Sequence, residues 1–174
     1  NPITMRNSGL LLFAFCILHF SLSGQNPLAE EIAKVNEDSL IRILPELKDT
    51  EYINALNKIS FGIFSEFPDS SMIYADEALL LSEELDYNKG IADAYFNIGN
   101  RYFMIDSLKS AVIYYLKALR IYEDLPPSVE LGVLLEVIRS LNFYAGRRDE
   151  SIKNAKKAVW VYQQLGNHRY EIMA

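Results

Sequence analysis

Apolar and polar positions along this chain recur in a fixed order. Ala78, Ala118 and Ala158 share one position at an offset of forty residues, and Leu85, Leu125 and Leu165 share another. Leu79, Leu119 and Val159 align at the same offset, as do Leu81, Ile121 and Val161. A period of a few tens of residues marks a chain of stacked supersecondary units, each leaning on its neighbours. Within each period the apolar spacing is helical. Tyr95, Ile98 and Tyr102 fall at i, i+3 and i+7, one stripe of a helix. A break at Ile105-Asp106-Ser107 follows, and a second helix is predicted from Leu108 to Leu125. Its inward stripe is Ala111, Tyr115 and Ala118. Gly99 lies inside the first helix, where it costs roughly 1 kcal/mol against Ala. Close approach of the second helix is a physical reason for it.

The flanking units read the same way. The first uses Leu56, Ile59, Ser60 and Ile63, then Ser71, Ala75 and Ala78. Its turn, Phe67-Pro68-Asp69-Ser70, is one residue shorter than the turn of the middle unit. Pro68 cannot continue a helix, and Asp69 or Ser70 can cap the next one. The third uses Leu135, Ile138, Arg139 and Asn142, a turn at Gly146, then Ser151, Ala155 and Ala158. Residues 25–50 form a lead-in. Ile32, Val35, Leu40, Ile41, Leu44 and Leu47 predict one or two short amphipathic helices, broken at Pro45, that cover the first unit.

The middle unit resembles the tetratricopeptide repeat (TPR). That family places a large residue, a Leu-Gly pair and a Tyr on its first helix, and Ala, an aromatic and Ala on its second. Here those roles fall on Tyr95, Ile98-Gly99, Tyr102, Ala111, Tyr115 and Ala118. Glu123 stands where the family has its closing Pro, and Arg139 where it has a small residue, which argues against close packing in the third unit. The resemblance covers about residues 51–171, with units near 52–86, 92–125 and 132–165. It implies an all-α fold: a right-handed α-solenoid of antiparallel helix pairs, about three repeats plus N-terminal lead-in helices. It also implies a concave groove lined by first helices. By position the groove takes Asn57, Phe61 and Phe64 from the first unit and Phe96, Asn100, Phe103 and Met104 from the second. The third supplies Glu136, Ser140, Phe143 and Tyr144. The implied ligand is a protein or peptide, with Asn57 and Asn100 the favoured polar contacts because both avoid the apolar stripe.

The ends carry further signals. Met5-Arg6-Asn7, the apolar run Leu10–Leu22 and the small residues Ser21 to Gly24 have the layout of a secretory signal peptide over residues 1–24, with residues 1–4 upstream of it. The run is short of the roughly 20 residues a spanning helix needs. The expected address is therefore the periplasm or the extracytoplasmic face of the inner membrane. Gly166-Asn167-His168-Arg169-Tyr170 repeats the linker logic of Asp86 to Gly90, so residues 167–174 are expected to start a further repeat. The segment order is similar to exported TPR regions of Bacteroidetes-type sensor histidine kinases and regulators. It runs through Asp38 to Thr50, Leu56 to Ser60 and Pro68-Asp69-Ser70. That likeness implies an alternative role as the sensory input region of a larger signalling protein, with any kinase activity and membrane helix beyond Ala174.

Charge and residue inventory narrow the chemistry. The net charge is −6, and the leader removes Arg6 but no acid. A basic stripe for nucleic acid is not expected. The one Cys, Cys16, and His19 fall in the leader, leaving His168 as the last histidine. No thiol or multi-histidine metal site follows from that set. Glu83-Glu84 and Asp149-Glu150 are predicted on solvated helix faces, where carboxylates lack the burial that tunes an acid/base pair. No catalytic residue, cofactor or metal is expected. Glu66 to Asp86 is acidic and Arg147 to Arg169 basic, an asymmetry that reads as two solvated faces or as opposite-charge stacking of copies.

Overall fold

A computed structural model describes residues 37–166. The leader, Ile32, Val35 and residues 167–174 lie outside the described residues. Among the described residues seven α-helices follow one another: α1 (Glu37–Ile43), α2 (Asp49–Ile63), α3 (Pro68–Glu84), α4 (Asn88–Met104), α5 (Leu108–Tyr122), α6 (Val129–Tyr144) and α7 (Arg148–Gln164). A 3-10 turn, Leu44–Glu46, carries Pro45 and separates α1 from α2, where the break was expected. Among the described residues there is no strand. The helices pack in adjacent pairs: α2 with α3, α4 with α5, α6 with α7. α3 also packs on α4, while α5 meets α6 more lightly.

The second helices of the pairs bury the same positions. Ser71, Ala111 and Ser151 are buried, as are Ala78, Ala118 and Ala158, then Ser82, Tyr122 and Tyr162. The larger core cluster joins Phe96, Tyr115 and Tyr122 to Leu134, Leu135 and Tyr162. A smaller one gathers Ile53, Leu56, Ala78 and Ala94, with Leu44 of the lead-in packed against it.

The helix ends repeat too. Asp106 and Gly146 both take positive φ, 61° and 74°, one residue after the C-caps of α4 and α6. In each case the next amide reaches back five residues. Ser107 N donates to Tyr102 O at 2.9 Å, and Arg147 N donates to Asn142 O at 2.9 Å. This left-handed closure satisfies carbonyls that a helix end leaves open. Asp86 and Gly166 take the same conformation after α3 and α7. The matching position after α5 is Pro126, whose ring forbids positive φ. The link there turns at Glu123 and Asp124 and reaches an extended Ser128, and α5 ends at Tyr122, short of the expected Leu125.

Other details depart from expectation. Pro68 is the first residue of α3, and neither Asp69 nor Ser70 caps it; the N-cap is Phe67, with no side-chain bond. The first helices start at Asp49, Asn88 and Val129, ahead of the expected 52, 92 and 132. A Cβ on Gly99 would lie 2.6 Å from the Tyr115 ring, so the close approach is by an aromatic side chain. Arg139 does not prevent close packing. Its guanidinium turns aside to Glu136 at 2.7 Å, while Ser151 Oγ donates to the Arg139 carbonyl at 3.1 Å. The first pair makes the equivalent contact, with Ser71 Oγ donating to Ser60 O at 2.9 Å.

Candidate functional site

The residues expected to line a groove divide by burial. Asn57, Phe64, Phe96 and Asn100 are buried. Phe61, Phe103, Met104, Glu136 and Ser140 are half-buried. Phe143 and Tyr144 are exposed and pack edge to face at 5.4 Å. Phe61 sits 5.7 Å from Phe64 and 5.9 Å from Phe96 between ring centroids, and Phe96 lies 5.9 Å from Tyr115. That row of rings ties α2 to α4 and α5, so most of its aromatic surface is spent on packing.

The two amides favoured as ligand contacts are committed inside the fold, which corrects the expectation. Asn57 is 4% exposed. Its Nδ2 donates to Gly90 O at 3.1 Å, and Asn97 Nδ2 donates to Asn57 O at 2.9 Å. This amide pair joins α2 to α4 across two units. Asn100 is 1% exposed, and its Oδ1 accepts from the Tyr115 hydroxyl at 2.9 Å. Its Nδ2 has no hydrogen-bond partner among the described residues. The helical spacing placed both amides off the large-residue stripe, but the first helices are covered on more than one side, and burial follows.

A polar cluster that the sequence reading passed over lies at the junction of α4, α5 and α6. Asp93 is buried and accepts a hydrogen bond from the Tyr122 hydroxyl. Lys89 pairs with Asp93 at 2.7 Å and with Glu130 at 3.4 Å. Burial pushes the Asp93 carboxyl above its ordinary range, with Lys89 working against that shift. Burial would lower Lys89, but Asp93 and Glu130 outweigh it and hold the ammonium above its usual value. Glu130 is also desolvated, yet Lys89, its own backbone amide and Ser128 bring its carboxyl below the usual range. Tyr122 is held well above an ordinary phenol, first by burial and then by the Asp93 charge. The signal for this cluster was an Asp between Ala92 and Ala94, with a Lys one turn before it.

Chemically the cluster is a joint. It bridges the pairs where Pro126 interrupts the repeated left-handed helix ending, and Asp93 and Tyr122 are both buried. Among the described residues no group of three or more His, Cys, Asp or Glu could hold a metal ion. No described helix is long and apolar enough to cross a membrane. No protein-family model matches the chain, and neither a curated protein nor a solved structure is significantly similar to it.

Proposed function

We propose that the chain is a tetratricopeptide-type right-handed solenoid that serves as an exported binding module for a protein or peptide, with no chemistry of its own in this region. The observation that carries the reading is the register of the helix pairs. Ser71, Ala111 and Ser151 are buried alike, and Asp106 and Gly146 end successive first helices in the same left-handed closure. In a solenoid of that kind the first helices would line one side, as α2 and α4, which are in contact, begin to do. Phe61 and Ser140 then share one position with the buried Asn100, and Phe103 and Phe143 another with the buried Phe64; the first two of each set are at least partly open. An open aromatic strip of that kind accepts a helix or an extended segment through apolar pockets. Export rests on the basic start and apolar run of residues 5–24.

A displayed peptide library selected on the purified protein tests the reading. Peptides enriched over a bare matrix are then titrated against the parent and against Tyr144→Ala and Phe103→Ala. Tyr144 is 58% exposed, so its truncation separates binding from folding. The expected result is about tenfold weaker binding by either variant, with the Tyr144→Ala melting curve unchanged. Failure to enrich any peptide, or binding indifferent to both substitutions, would sink the groove.

A further inference from the structure

The solvent faces of α3, α5 and α7 carry a pattern that internal packing does not use. Ile73, Ile113 and Lys153 occupy one repeated position, Asp76, Leu116 and Lys156 a second, and Leu80, Arg120 and Trp160 a third; all are exposed. Helix α4 packs on α3 and α6 touches α5, yet these positions stay open. The face therefore points away from whichever helix follows. By the same register, a helix that followed α7 would leave this side of it open.

The first and last of these faces are opposites. α3 contains Asp69, Asp76, Glu77, Glu83 and Glu84 and no base. Asp69 is taken by Arg101 and Glu77 by the Tyr52 hydroxyl. Asp76, Glu83 and Glu84 make no ion pair among the described residues, and they surround Ile73 and Leu80, which are 67% and 58% exposed. On α7, Lys153, Lys156 and Lys157 flank Trp160 and wall a shallow depression of about 290 Å³. Lys157 pairs with Glu123, whereas Lys153 and Lys156 have no acidic partner among the described residues.

We propose that copies of this chain associate head to tail, with the basic Trp160 face of α7 on one copy docked on the acidic Ile73–Leu80 face of α3 on the next. Charge complementarity selects this pairing. Two α7 faces, or two α3 faces, would set like charges together, so a two-fold contact through either is disfavoured. A heterologous contact leaves one face free at each end and can propagate. Exposed ion pairs are individually weak and screened by salt. Trp160 against Leu80, and Ile73 in the depression, supply the apolar anchor that such contacts need.

Sedimentation velocity on the chain up to millimolar concentration tests this, at low and high salt, with Asp76→Lys and Lys156→Glu as variants. The parent is expected to form species larger than a dimer, shifting toward monomer as salt rises. Each variant alone is expected to self-associate at least about tenfold more weakly while keeping the parent's melting curve, since both residues are exposed. Mixing the two variants restores opposite charge at both contacts: Asp76 of the Lys156→Glu chain meets Lys156 of the Asp76→Lys chain, and the two introduced charges also oppose each other. The mixture is therefore expected to regain species larger than a dimer, with the two chains alternating. A parent that stays monomeric at all salts would overturn the proposal, as would variants that assemble like the parent. So would a monomeric parent that co-sediments with phosphatidylglycerol vesicles through Lys156, an outcome that would assign the basic face to a lipid surface.

Discussion

At the scale of single residues the packing is decided by where a Cβ fits. Gly99 faces the Tyr115 ring, with two ring carbons 2.6 Å from a built Cβ. The ring cannot retreat: Tyr115 is fully buried and its hydroxyl is held by Asn100 at 2.9 Å. Replacing Gly by Ala inside a helix gains roughly 1 kcal/mol in propensity, whereas overpacking a core costs about 1–3 kcal/mol. With a rigid buried ring on the other side, the steric cost wins. Gly99→Ala is expected to destabilise by about 2 kcal/mol in urea unfolding. In a Tyr115→Leu background the same change is expected to cost little, because the two residues are in contact and couple. Equal costs in both backgrounds would show that the ring is not what excludes the methyl. Gly99 was legible as a contact from its place in a helical stripe. That the contact is an aromatic ring was not, because spacing reports which residues face a neighbour and not which atoms arrive first.

At the scale of helices the sequence signals differ in how far they can be trusted, and the reason is local. Among the described helices, α6 shows the side-chain cap: Ser128 Oγ accepts from Leu131 N at 3.2 Å. The residue also follows Pro126-Pro127, which cannot extend α5. Helix α6 therefore takes its side-chain cap at the junction where Pro126 interrupts the repeated helix ending. Ser128→Ala is expected to cost about 1 kcal/mol, read as a lower urea midpoint with unchanged helix content at zero denaturant. Ser107→Ala is the control, because Ser107 at the start of α5 makes no cap bond to the backbone. If the two substitutions cost the same, capping is not what Ser128 contributes. Asp69 and Ser70 were plausible caps by type, but Pro68 occupies the first helical position and starts the helix before either can act. Pair spacing and the break at Pro45 were readable because Pro, Gly and a forty-residue register each impose a backbone constraint. Helix starts were readable only to within a few residues, since several polar residues near each start compete for the cap.

At the scale of the whole molecule, two buried phenols couple the shared core to alkaline pH. Tyr115 and Tyr122 belong to one cluster that also holds Leu134, Leu135 and Tyr162, so the middle and last pairs share it. Burial raises the Tyr115 phenol far above its ordinary value of 10.0. Burial and the Asp93 charge do the same for Tyr122. In the unfolded chain both phenols ionise near 10.0, while in the folded chain they keep their protons. Above that pH the unfolded state has released protons that the native state still binds, so stability must fall as pH rises. Lys89, held above 10.5 by Asp93 and Glu130, acts with the same sign slightly higher. The contribution is complete below about pH 10 and lost progressively above it. Each retained proton is worth about 1.4 kcal/mol per pH unit once its unfolded partner is ionised. Urea unfolding between pH 8 and pH 11.5, followed by helix signal and by phenolate absorbance, is expected to show a steep loss that begins near 10. The helix signal and the phenolate of the buried rings are expected to change together. Tyr115→Phe loses its hydrogen bond to Asn100, a cost of about 1 kcal/mol at neutral pH, yet it is expected to flatten the alkaline slope by about one proton. Stability that stays level to pH 11.5 would mean that water reaches these rings in the folded chain. The pairs would then lack the common core that their stacking requires.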